Sequence, residues 1–183
     1  MEQERIGQER NLAWFKLADL ISRGEREKAL NVFRLLSHSL NNRAYVLQIE
    51  GDILWYLDDK SAIDRYKQAA FLYQKEKRWI DAIAIYEHIL TQDATSYEAL
   101  VSLMMFYTMV DWQDRLDARF ASLLSLFSQK IIQEETLEQA IKEIIRLVKD
   151  IDVTTKNAWF FPWIDHALQS LPASMHARLS QEL

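Results

Sequence analysis

Leu47-Gln-Ile-Glu-Gly51-Asp52-Ile-Leu54, followed by Ser61-Ala62-Ile63, Tyr66 and Ala69-Ala70, is the stretch whose reading decides the fold. A second run extends it: Trp79-Ile-Asp-Ala82-Ile83, Tyr86, Ile89-Leu90 and Asp93-Ala94. Small residues recur where two helices must approach closely, and a large aromatic stands four residues beyond Ala62 and Ala82. Apolar positions three and four apart line one face of a helix. A helical hairpin with such a face buries it only against a neighbouring hairpin.

Composition points the same way. The chain has 183 residues, 49% of them hydrophobic, with only 3 Gly and 2 Pro. So few turn-forming residues predict an all-α protein with short connections. The length suffices for one domain with a substantial core, and no linker or low-complexity segment interrupts it, so a single domain over 1–183 is expected. The net charge of −5 lacks the basic face of a nucleic-acid binder. The absence of cysteine excludes disulfides, thiolate metal sites and a cysteine nucleophile. Residues 1–10 lack a signal-peptide pattern, and no apolar run approaches the roughly 18–20 residues of a membrane span. A cytoplasmic protein that binds neither membrane nor nucleic acid is the expectation.

Apolar spacing predicts ten helices, over about 8–22, 25–39, 42–57, 60–75, 79–91, 95–109, 113–128, 133–150, 162–170 and 173 to the end. Gly24 ends the first, and Asn41-Asn42 supplies the cap of the third. Asp58-Asp59 suits the start of the fourth, and Thr95 or Ser96 the start of the sixth. Pro162 is expected in the first turn of the ninth, where a missing N–H costs nothing. The core is expected to include Trp14, Leu17, Ala29, Phe33, Leu54, Ala62, Tyr66, Ala82, Tyr86 and Leu103.

The first two hairpins superimpose at an offset of 33 (51 − 18): Trp14 on Leu47, Ala18 on Gly51, Asp19 on Asp52 and Ile21 on Leu54. In their second helices Ala29 falls on Ala62, Phe33 on Tyr66 and Leu36 on Ala69. Large, small, large, then Ala, aromatic, Ala is a pattern that resembles the tetratricopeptide repeat (TPR) family, over roughly residues 10–128. The offset is one short of that family's usual 34, Glu50 replaces an apolar residue, and neither hairpin has the closing proline. The resemblance implies a right-handed helical-hairpin solenoid, with 129–183 as a helical C-terminal cap. It also implies non-catalytic protein–protein recognition by a scaffold or chaperone-like adaptor that holds a peptide or helix in a concave groove.

The first helix of each TPR hairpin lines that groove. The resemblance therefore places Leu12, Phe15 and Asp19 there, with Tyr45, Gln48, Asp52 and Trp55 from the second unit. The acids disfavour a carboxylate ligand and suit a basic, partly apolar segment of another protein. The alternative reading is a self-assembling structural protein, in which the aromatics of Trp159-Phe160-Phe161-Pro162-Trp163 bury against a second copy in a homodimer. The reading favoured for the same segment is a cover over the open end of the helical stack, because terminal repeats need covering.

Enzyme chemistry has little to stand on. His38, His88, His166 and His176 are not spaced for a shared metal, and three scattered glycines make no phosphate loop. Glu134-Glu135 and Asp58-Asp59 read as helix-start charges rather than an acid/base pair. No catalytic, cofactor-binding or metal-ligating residue is assigned, and no cofactor is expected. Met104, Met105 and Met109 read as core filling or as an adaptable surface.

Overall fold

The computed structural model describes residues 2–150 and 154–183, with side chains described over 11–149 and 159–183. All its regular elements are helical. The ten α-helices are α1 (Glu2–Ser22), α2 (Arg26–Ser37), α3 (Arg43–Tyr56), α4 (Ala62–Lys75), α5 (Trp79–Gln92), α6 (Tyr97–Met109), α7 (Gln113–Ser128), α8 (Glu134–Asp150), α9 (Thr154–Leu168) and α10 (Ala173–Leu179). A 3-10 turn, Ser180–Glu182, follows. Two compact units divide the chain, Met1–Ile85 and Tyr86–Leu183, and the break falls within α5.

In the first unit α1 pairs with α2, α2 with α3, and α3 with α4. Leu17 and Leu20 of α1, Ala29, Phe33 and Leu36 of α2, and Val46 and Ile53 of α3 form one buried cluster. The α3–α4 hairpin makes the most extensive contact of the three. Ala62, Ala69 and Ala70 are fully buried along α4, and the Tyr66 ring lies against Gly51 of α3. A Cβ at position 51 would stand 2.7 Å from two ring carbons of Tyr66, so only glycine admits the ring at that depth.

The helices stop by a shared device. At the end of α1, Gly24 N–H donates to Ile21 O and Glu25 N–H to Leu20 O, both at 2.9 Å, with Gly24 at φ +69. This paired bond satisfies carbonyls that the helix end leaves open. Asp58, Lys77 and Lys130 repeat the arrangement after α3, α4 and α7 with φ near +58, although none is glycine. Asp58 therefore closes α3, and only Asp59 serves the start of α4, by accepting from the Ser61 N–H and hydroxyl. Those two bonds, then the Arg26 guanidinium 2.6 Å away, hold the Asp59 carboxyl down at about 2. The Asn42 side chain accepts from Tyr45 N–H at 2.8 Å and caps α3 as expected. Ser96 stands at the cap position of α6 but makes no side-chain cap bond.

These turns correct the repeat register. Gly24 and Asp58 are 34 apart (58 − 24), whereas the fully buried Ala29 and Ala62 are 33 apart (62 − 29). The second hairpin's turn is one residue shorter, so the first helices match at 34 and the second helices at 33. At 34, Leu17 corresponds to Gly51 and Leu20 to Leu54, all buried, and Ala18 corresponds to Asp52, both exposed. Asp19 then corresponds to buried Ile53, so the two acids do not hold equivalent places.

In the second unit α6 pairs with α7, and α8 packs on both. Leu137, Ile141, Ile144, Ile145 and Val148 form the buried face of α8, as their spacing predicts. Met104 is fully buried and Met105 and Met109 are half-buried, which favours core filling. Arg178 of α10 donates to Glu134 and Glu138 of α8 at 2.7 Å each. Pro162 departs from expectation: α9 begins at Thr154, and the proline lies inside it. An interior proline costs about 3 kcal/mol. Phe160, Ile164 and Leu168, at i, i+4 and i+8, are all buried, and three such side chains outweigh that cost.

Eight of the ten expected core residues are buried; Trp14 and Tyr86 are half-buried, against Phe33 and Phe106 respectively. Gly51→Ala is expected to lower stability by about 1–3 kcal/mol through overpacking, because the buried Tyr66 ring cannot retreat. Denaturant unfolding of the purified variant is the check.

Candidate partner-binding surface

The α1 residues assigned from the sequence share one exposed stripe. Leu12, Phe15 and Asp19 follow at i, i+3 and i+7, opposite the buried Leu17 and Leu20. Leu12 is 70% and Phe15 73% exposed, so two large apolar side chains stand almost free on consecutive turns. Asp19 pairs with Arg23 one turn on, at 3.4 Å, with both side chains largely in solvent. Exposed pairs of this kind contribute about 0–1 kcal/mol.

The α3 residues also share a stripe. Tyr45, Gln48, Asp52 and Trp55 follow at i, i+3, i+7 and i+10. Tyr45 is 46% exposed, Asp52 is exposed, and Gln48 and Trp55 are half-buried. Two of the four are tied to α4: the Tyr66 hydroxyl donates to Asp52 Oδ1 at 2.8 Å, and the Tyr73 hydroxyl donates to Gln48 Oε1 at 2.9 Å. Burial first, and then the bond to Asp52, pushes the Tyr66 hydroxyl far above the ordinary tyrosine range, so it stays protonated and donates.

These bonds give Gln48 and Asp52 a role that sequence reasoning assigned only to the partner. A tyrosine ring can be buried in a hairpin if its hydroxyl finds an acceptor. The acceptors lie on the facing helix, 14 and 25 residues away in sequence. Phe33 stands in the first hairpin where Tyr66 stands in the second, and it needs no acceptor. The signal was therefore the Phe33/Tyr66 difference.

In the second unit the aromatic segment is engaged internally. Phe160 is fully buried and Trp163 packs edge-on against Phe120 at 5.7 Å. Trp163 Nε1 donates to Asp117, and Trp159 Nε1 donates to Asp111 at 3.2 Å. Much of the apolar surface that self-association through this segment would use is thus occupied within the unit.

Among the described residues no group of His, Asp and Glu is arranged to hold a metal ion, and no helix is long and apolar enough to cross a membrane. Comparisons with protein families, curated proteins and solved structures find no match.

The two stripes differ in what removal of a polar group should do. Tyr66→Phe leaves a buried cavity edge and frees Asp52, and is expected to cost about 1 kcal/mol. Asp19→Asn removes only an exposed pair and should change stability by less than about 0.5 kcal/mol. Urea unfolding of both variants beside the parent protein measures the contrast.

Proposed function

We propose that this protein is a non-catalytic protein–protein interaction module, of the adaptor or scaffold kind, whose first unit receives a peptide or helix of another protein. The observation that carries the reading is the apolar stripe of α1, where Leu12 and Phe15, on consecutive turns, are 70% and 73% exposed; Leu35 at 73% and Tyr56 at 69% are as open but lie on α2 and α3. Large apolar groups left in solvent on adjacent turns favour a surface that is covered in use. Tyr45 at 46% exposure adds an aromatic from α3. In this reading the hairpins follow the right-handed, TPR-like solenoid implied by the residue pattern. The α1 and α3 stripes both receive the partner without being equivalent faces, since at the 34-residue register Leu12, Phe15 and Asp19 correspond to Val46, Ile49 and Ile53.

Phe15, Tyr45 and Trp55 supply the anchors, because aromatic side chains carry most of the energy of a typical interface. Asp19, Gln48 and Asp52 supply the polar rim. The partner segment is partly apolar and basic, with Lys or Arg reaching the acids. Asp52 keeps one oxygen for such a cation, since Tyr66 takes the other. Rim charges of this kind set association rate and salt dependence more than affinity. The setting proposed is the cytoplasm.

The experiment is affinity capture from source cells with the parent chain and with a Phe15→Ser, Tyr45→Ser variant, read by quantitative mass spectrometry. Both positions are exposed, so melting temperature should be unchanged. A protein held by the parent and reduced at least about tenfold by the variant is the expected result. Titration of that protein against Asp52→Asn should show a weaker salt dependence with little loss of affinity. Equal capture by parent and variant would refute the assignment of this surface.

A further inference from the structure

The first unit also contains a cavity of about 320 Å³ lined by residues of α2, α3 and α4. Leu30, Phe33 and Val46 form its apolar wall, with Phe33 and Val46 buried. Arg34, Arg43 and Arg65 contribute guanidinium groups to the remainder, together with Ser37 and Glu50. In a chain of net charge −5, three arginines around one cavity run against the overall balance.

Their existing partners compensate only one of the three. Arg65 Nε donates to Glu50 Oε1 at 3.0 Å and forms an ion pair. Arg34 Nη1 donates to the neutral Asn31 side chain at 3.1 Å, which leaves its charge unmatched. Arg43, exposed at the first position of α3, has no ion pair or side-chain hydrogen bond among the described residues. The Ser37 hydroxyl already donates to the Arg34 carbonyl, so the arginines are the donors left for a ligand.

We propose that this cavity binds a carboxylate carried on a small apolar group, with Arg34 and Arg43 holding the carboxylate and Leu30, Phe33 and Val46 receiving the apolar part. A guanidinium presents paired N–H donors that match the two oxygens of a carboxylate. Glu50 selects for a single negative charge, because a dianion in the same cavity would meet its repulsion twice over. The carboxylate could arrive on a free organic acid or on an acidic peptide segment. The site is separate from the partner surface proposed above: none of Phe15, Asp19, Tyr45, Gln48, Asp52 and Trp55 lines the cavity.

The test is titration of the full chain, followed by backbone amide NMR, with four probes. They are N-acetylphenylalanine, its neutral carboxamide, phenyl phosphate, and a blocked dipeptide of phenylalanine and aspartate. N-acetylphenylalanine is expected to give saturable shifts at Leu30, Phe33 and Val46, and the carboxamide none. Replacing Arg34 and Arg43 together by Gln should weaken binding about tenfold, the effect of losing about 1.4 kcal/mol. Both arginines are exposed, and an unchanged melting temperature shows that the variant folds. Tighter binding of the blocked dipeptide than of the free acid identifies a peptide source, and weaker binding a free acid. Equal shifts from acid and carboxamide, tighter binding of phenyl phosphate, or parent-like affinity in the double variant would each overturn the proposal.

Discussion

The contact between the Tyr66 ring and the bare Cα of Gly51 constrains much of the first unit. A side chain at position 51 would collide with the ring at 2.7 Å, so the glycine sets how closely α3 and α4 approach. Close approach then requires small residues along α4, and Ala62, Ala69 and Ala70 are fully buried there. The ring carries its hydroxyl to the edge of the hairpin, where a polar group out of water needs a partner. Asp52 is that partner, one residue beyond the glycine. Tyr73 and Gln48 repeat the device further along the same two helices. A packing requirement thus dictates the chemistry of the α3 stripe, and two of its polar side chains are held in place before any ligand arrives.

This has a consequence for recognition. A surface acid in solvent loses side-chain entropy when it pairs with a ligand cation. Asp52 is already ordered by Tyr66, so less freedom remains to lose. Asp19 has no such support beyond an exposed pair with Arg23. The first unit therefore offers acids of unequal order on α1 and α3, and an arginine-lined cavity among α2, α3 and α4. Opposite charge preferences in one small unit suit two ligand chemistries better than one.

Helix positions were largely legible in the sequence because apolar periodicity and scarce turn residues both point to them. Gly24 and Asn42 ended and capped helices as their residue types imply. What failed were features in which tertiary packing overrides a local rule. Pro162 reads as a helix start, but burial of Phe160, Ile164 and Leu168 carries α9 through it. Asp58 reads as a helix-start charge, but it takes a left-handed conformation to close α3. The offset of 33 hid a one-residue difference in turn length, which gave Asp19 and Asp52 a false equivalence. The hydroxyl partners of Tyr66 and Tyr73 left no periodic trace, because they are hydrogen bonds between facing helices, and only the change from Phe33 to Tyr66 hinted at the first of them. The arginines of the cavity lie at scattered positions, 34, 43 and 65, and only the fold gathers them.

The central claim is that the exposed stripes of α1 and α3 are where another protein sits. Site-specific photo-crosslinking in source cells tests it most directly, with a benzophenone side chain placed singly at position 15, 45, 35 or 131. All four positions carry exposed apolar or aromatic residues, but Leu35 and Ile131 belong to neither stripe. The account predicts a discrete crosslinked product of one partner from positions 15 and 45 and none from 35 or 131. Crosslinks from 35 or 131 with none from 15 and 45 would contradict it.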